Sequence, residues 1–178
     1  VSRYGRIYVR VDQVVSLKQL AAARGFDRET ATEDQRRALV KSLGFRIVEG
    51  INRVTGLTPM GLLCTALLSH DRRGLDDDEL RERMKFLLRL ARAEGAPLTF
   101  DPGEEDAALE PTREGPMRKS VLALLQDEAV QVHDVGGRQI FQANEDERVT
   151  LDYHKNTALH RWVPAGRVAT ALLTTPGG

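Results

Sequence analysis

Val130 to Ala143 reads VQVHDVGGRQIFQA. Two runs rich in β-branched and apolar residues, Val130 to Val135 and Arg138 to Ala143, flank Gly136-Gly137. A two-residue hairpin loop needs positive φ at its centre, and a glycine pair meets that need without steric cost. This hairpin separates the chain from an all-helical bundle, because helical periodicity dominates nearly everywhere else. Just upstream, Met117 to Asp127 places Val121, Leu122, Leu124 and Leu125 inward on a helix. Just downstream, a long helix is expected from about Glu147 to Leu173, broken or kinked at Pro164.

Working further towards the start, the pattern dissolves between Ala96 and Pro116 into prolines, glycines and acids, PGEED among them. Residues 101–116 are the linker candidate. Before it, Asp76 and Glu79 open a helix with Leu80, Met84, Leu87, Leu88 and Ala91 on one face and Gly95 at its end. Another starts at Thr58, with Pro59 in the first turn, and fails near Gly74. Thr32 and Gln35 form a capping box for a longer helix, on which Leu39, Val40, Leu43, Ile47, Val48, Ile51 and Val54 recur at helical spacing. Ser16 and Gln19 start a short helix that Gly25 stops, and Arg6 to Val15, RIYVRVDQVV, reads as a strand.

The 178 residues suffice for one ordinary domain with a real core. Lys plus Arg balance Asp plus Glu at 26 each, so net charge draws in neither nucleic acid nor anionic lipid, although it leaves room for a local basic patch. Cys64 is the only cysteine, which excludes an internal disulfide. The longest apolar run, Leu57 to Leu68, is too short to span a bilayer. A chain that opens at Val1 and enters strand-like sequence at once looks cut from a longer protein.

Familiar chemistry finds little support. His70, His133, His154 and His160 form no His-x3-His pair, so a metal site is not expected. No GxGxxG, P-loop or GxSxG pattern occurs. Asp76-Asp77-Asp78-Glu79 reads as helix-start chemistry rather than as a cation site.

The densest group of reactive side chains is YHKNTALHRW, Tyr153 to Trp162. On a wheel at about 100° per residue with Val149 at zero, Tyr153, Asn156, His160 and Val163 fall within about 40° of it. Thr150, His154, Thr157 and Arg161 cluster apart, and Leu151, Ala158 and Trp162 gather on a third side. His154 is therefore expected on a solvated face. Tyr153, Asn156 and His160 are expected to form an inward, hydrogen-bonded packing seam, since buried polar groups need partners.

Three segments, in order, resemble the glycerol-3-phosphate acyltransferase family. YVRVDQVVSL is similar to its "hhRFGEPhsL" strand and turn, with Asp12-Gln13-Val14 standing where Gly-Glu-Pro is usual. INRVTGLTPMGLLCTALLS, Ile51 to Ser69, is similar to its "INxxTxxTPxxLhCTALL" helix pair. LDYHKNTALHRWVPAG, Leu151 to Gly166, resembles "hxYYRNNIxHhFhxPS". Tyr153, Asn156, His160 and Pro164 fall on that segment's Tyr, Asn, His and Pro, and Lys155 replaces its arginine.

The resemblance implies an α+β, predominantly helical fold: the last strand of an α/β acyltransferase domain, then a helical C-terminal domain with one β-hairpin. Residues 1–30 would end the catalytic domain, 31–100 form a helical region, 101–116 a linker, and 117–178 the C-terminal domain of helix, hairpin and kinked helix. The activity implied for the parent enzyme is acyl transfer from acyl-CoA or acyl carrier protein to glycerol 3-phosphate. No cofactor is implied beyond that thioester co-substrate. The family's catalytic His-x4-Asp and Phe-Pro-Glu-Gly blocks are absent from these 178 residues. No catalytic residue is therefore expected here, and Tyr153, Asn156, His160 and Pro164 are expected to be structural. The resemblance also implies a peripheral place on the cytoplasmic side of the cell membrane, and no nucleic-acid partner.

Two other readings rest on the residues alone. The helix and Gly-Gly hairpin resemble the recognition helix and wing of a DNA-binding winged helix, with Arg113, Arg118, Lys119 and Arg138 for phosphates. The acidic loop before them and the zero net charge weigh against it. A helical interaction domain without chemistry is the other.

Overall fold

The computed structural model describes residues 7–69 and 74–174. It divides into two compact units, Val1–Thr55 and Gly56–Gly178. His70 lies outside the described residues.

In the first unit, residues 7–15 form neither helix nor ladder among the described residues, although the sequence reads as a strand. A strand exists only through a neighbour's N–H and C=O groups. Here Ile7, Val9 and Val11 stay more than four-fifths exposed. Ser16 then caps α1 (Leu17–Ala23), its hydroxyl accepting from the Gln19 N–H, and Gly25 leaves the helix with φ of 60°. Thr32 and Gln35 close the expected capping box at the start of α2 (Glu33–Val54). Gly50 is the one described α2 residue that is fully buried. A β-carbon there would lie 2.5 Å from Asp12 Oδ2. The same carboxylate accepts from Arg53 Nε at 3.2 Å and Nη2 at 2.8 Å. Of the apolar face expected to pack, Val40, Ile47, Val48 and Ile51 are instead exposed, because the residues of this unit supply too few partners to cover both sides of α2.

The second unit holds the core. Thr58 caps α3 (Pro59–Leu68) by accepting from the Gly61 N–H at 2.9 Å, and every residue from Gly61 to Leu67 is buried. An apolar helix without a polar side must be enclosed. Around it lie α4 (Asp77–Ala93), α5 (Pro116–Gln126) and α6 (Arg148–Ala158), contributing Leu80, Met84, Leu88, Leu124 and Leu151 to one cluster. A two-residue strand not foreseen from sequence, β1 (Leu75–Asp76), joins β2 (Val130–Val135) and β3 (Arg138–Ala143) in an antiparallel sheet of order β1-β3-β2. Gly136 and Gly137 turn the hairpin with φ of 63° and 83°. Phe141, paired with Leu75 and Val132, faces the core.

The chain between α4 and α5 is not loose. Leu109 of a 3-10 turn, Glu104–Leu109, is fully buried, and Asp106 pairs with Arg92 at 3.0 Å. Helix, strand, two helices and a hairpin whose second strand pairs with the first strand is winged-helix connectivity. In it α5 takes the recognition-helix position and Gly136-Gly137 the wing. The fold class is α+β, predominantly helical, as expected.

Candidate functional site

The two segments with the densest sequence signatures meet. Helix α3 packs along α6, and the two come close at Gly61. A β-carbon on Gly61 would lie 3.1 Å from Ala158 Cβ and 3.4 Å from the His154 carbonyl oxygen. A glycine lets the two helices come this near without displacing a neighbour; a β-carbon would ask its neighbours to give by a few tenths of an ångström.

This contact sets the rotation of α6 and corrects the expected seam. The inward face of α6 and the turn after it is Leu151, Ala158 and Trp162, all buried. Tyr153 is 68% exposed and Asn156 is exposed too, so the row Tyr153–Asn156–His160 does not point into the core. His154, expected in solvent, is half-buried. A regular wheel also fails beyond Ala158, since Leu159–Arg161 forms a 3-10 turn. That turn advances about 120° per residue, shifting His160 and Val163 out of phase. The helical break therefore comes before Pro164, which occupies the first turn of α7 (Val163–Thr174) where its missing N–H costs nothing. His160 is half-buried on the 3-10 turn.

Burial pushes the His154 pKa below its ordinary value, and the nearby Asp127 carboxylate opposes this. The Tyr153 ring meets the His154 ring edge-on, with centroids 5.2 Å apart. Asp152 accepts from Lys155, and Arg148 stands 3.8 Å away on its other side. Those cations, Lys155 first, hold Asp152 below its usual range against some desolvation. Two residues that the sequence did not single out are central: Arg161 is buried, and Trp162 donates its Nε1–H to the Leu87 carbonyl of α4 at 2.9 Å. A tryptophan on the wheel position of Leu151 and Ala158 was the available signal.

No set of three metal-capable side chains converges among the described residues. Burial pushes the Cys64 pKa up to about 12, which keeps the thiol protonated and a poor nucleophile at neutral pH. His133 is exposed on β2. Asp76 accepts from the Glu79 N–H at 2.8 Å and from Arg138 at 3.2 Å, which accounts for it as a helix cap and sheet tie. The α3–α6 contact is a packing site rather than a catalytic constellation.

Residues 1–177 match the family described as the glycerol-3-phosphate acyltransferase C-terminal region. The chain belongs to this family. It is 26% identical over 172 residues to the Mycobacterium bovis protein named "Putative acyltransferase plsB1", covering 96% of this chain and 25% of that protein. The Mycobacterium tuberculosis H37Rv protein of the same name gives the same figures. A glycerol-3-phosphate acyltransferase of Pseudomonas savastanoi is 27% identical over 165 residues, 89% of this chain and 18% of that one. The chain thus spans about a quarter or less of these curated relatives. Gly61 and Ala158, on two of the motifs that resemble the family, form one of the close contacts between those motifs.

Proposed function

We propose that this chain is the C-terminal region of a glycerol-3-phosphate 1-O-acyltransferase and is inactive by itself. In the parent reaction the 1-hydroxyl oxygen of glycerol 3-phosphate attacks the carbonyl carbon of an acyl thioester. The C–S bond breaks, the thiol leaves with the proton, and 1-acyl-glycerol 3-phosphate enters phospholipid synthesis. The general base belongs to a His-x4-Asp motif outside these residues; its imidazole takes the hydroxyl proton as the C–O bond forms. Acyl-CoA or acyl carrier protein supplies the thioester, and no other cofactor is needed.

The family match over nearly the whole chain is the observation that carries this proposal. Residues 1–30 end the catalytic domain, 31–100 are a helical region, 101–116 a linker held in place by the buried Leu109, and 117–178 the helix, hairpin and kinked helix of the C-terminal domain. Tyr153, Asn156, His160 and Pro164 serve structure rather than chemistry, the last two at the α6–α7 junction. Support comes from the placement of His160 on the 3-10 turn and Pro164 just after it. The protein works peripherally at the cytoplasmic face of the cell membrane.

Nucleic acid is not a partner. Between Gly56 and Arg148, the winged-helix part of the chain, nineteen acidic residues face twelve basic ones, which repels phosphate backbones.

The purified chain, given acyl-CoA and glycerol 3-phosphate, is expected to form no acyl-glycerol 3-phosphate. Measurable turnover would overturn the placement of the active site. The reading frame upstream of Val1 is expected to encode His-x4-Asp followed by Phe-Pro-Glu-Gly, and an upstream sequence without them would overturn the acyltransferase assignment itself.

A further inference from the structure

Among the described residues, α7 alone of the α-helices in the second unit buries none of its side chains. Yet its sequence, VPAGRVATALLT, is apolar around nearly the whole circumference. Val168 is 60% exposed, Leu172 75% and Leu173 86%. Elsewhere on the helix, Gly166 leaves an open groove of about 590 Å³, walled by Ala171 and two threonines and reaching Leu159 and Trp162.

The polar groups along this groove are satisfied from within the molecule. The Thr170 hydroxyl donates to the Gly166 carbonyl at 2.9 Å, and that of Thr174 to the Thr170 carbonyl at 2.8 Å. The Trp162 Nε1–H is engaged by Leu87. Arg167 is the exception. It makes no ion pair among the described residues, and from Tyr153 to Gly178 the chain has no Asp or Glu to offer it.

A helix that is apolar all round is one that something encloses. A bilayer does not suit α7. Its 12 residues rise about 18 Å, well short of a hydrocarbon core of about 30 Å. A helix lying on a membrane surface keeps a strongly polar face, and α7 has none. A second copy of α7 would bring Arg167 another arginine and no acid. Polypeptide beyond these residues does suit it, because the curated relatives are about four times as long as the stretch they share with this chain. Joined to the same chain, that part is present at an effective concentration of the order of mM, an advantage that a separate protein lacks.

We infer that α7 docks on the catalytic part of the same polypeptide, with apolar side chains of that part filling the groove and covering Val168 and Leu172, and a carboxylate meeting Arg167. Without that carboxylate the guanidinium would be covered unpaired, which is costly. The inference rests on the reading of this chain as the C-terminal region of a longer acyltransferase, and it adds the surface that holds the region to the rest.

Amide hydrogen exchange of the full-length enzyme and of the purified chain tests it. Without vesicles, the α7 amides are expected to exchange about ten-fold or more slowly in the full-length enzyme than in the purified chain. Leu172→Asp and Arg167→Glu in the full-length enzyme should each return α7 towards the faster rate. Leu122→Asp, at an exposed position of α5, should not. Unchanged protection of α3 shows that the second unit of each variant is folded. Equal exchange of α7 in the two proteins, protection that either substitution leaves intact, or a loss that Leu122→Asp produces as well would overturn the inference. So would protection that grows with the concentration of the purified chain, which assigns α7 to a second copy, or that needs vesicles, which assigns it to a bilayer. The readout involves no acyl transfer: an enzyme with the catalytic blocks and an unprotected α7 would sink the docking surface and leave the acyltransferase assignment standing.

Discussion

Gly61 of α3 faces Ala158 of α6 so closely that a β-carbon on the glycine would stand 3.1 Å from that of the alanine. The two residues lie in separate sequence motifs. Their contact sets both the rotation of α6 and the helix separation, and thereby decides which side chains of Tyr153 to Trp162 are covered.

Gly61→Val should therefore be among the most damaging single changes in the second unit. The added branches meet Ala158 and the His154 carbonyl in a region where every α3 residue from Gly61 to Leu67 is buried. Overpacking of this kind costs about 1–3 kcal/mol. Thermal unfolding should show a clear loss, with Gly61→Ala milder, since a single β-carbon asks the neighbour to give by only a few tenths of an ångström. A valine variant as stable as the parent would mean that α6 is free to slide away from α3.

Trp162 ties the end of this region to α4. Trp162→Phe keeps most of the buried area but removes the Nε1–H donated to the Leu87 carbonyl. Net loss of one such bond is about 0.5–1.5 kcal/mol, with a further contribution from the smaller ring. Denaturant titration followed by circular dichroism should show a lower midpoint with an unchanged slope. Trp162 is the only tryptophan, so in the parent its fluorescence reports unfolding of this unit.

How far the sequence could be read depends on the range of the forces involved. Both hairpin strands, the Thr32–Gln35 capping box and the Asp76 cap appear where they were expected, because turn and cap chemistry acts over a few residues. Strand β1, two residues long, exists only because Phe141 and Ile140 lie alongside it, and nothing local announces that. The orientation of α6 was missed for the same reason. A wheel shows which residues share a side, but not which side a glycine on a distant helix will draw inward. The valine-rich start failed differently. Its pattern is that of a strand, yet no partner pairs with it among the described residues.

The half-buried His154 gives the second unit a pH dependence with a definite sign. Its native pKa lies below the ordinary 6.5 because burial disfavours the imidazolium, Asp127 only partly offsetting this. As pH falls below about 6.5 the unfolded chain takes up the proton first, so the native state loses stability. The depressed carboxylates, Asp152 and Glu82 among them, act in a separate window nearer their own ordinary values. Melting temperature should therefore fall between pH 7.5 and 5.5, and less so in His154→Gln. An identical pH profile in the two proteins would show that His154 is solvated.

Asp12 and Gly50 allow two opposed effects to be weighed in one variant. Gly50→Ala should strengthen α2 by helix propensity, about 1 kcal/mol. The new β-carbon, however, would stand 2.5 Å from Asp12 Oδ2 and push that carboxylate off Arg53. The displaced group is the end of a side chain, so it can move at little cost to α2 itself. The segment from Ile7 to Ser16 should then lose its tie while the helix gains. Limited proteolysis should cut this segment faster in Gly50→Ala, and equally fast in Asp12→Asn, whereas the unfolding of the second unit, read through Trp162, stays unchanged. Unaltered cleavage in both variants would mean that the Asp12–Arg53 pair does not hold the segment, and that the apolar residues between Ile7 and Val15 are anchored by other means.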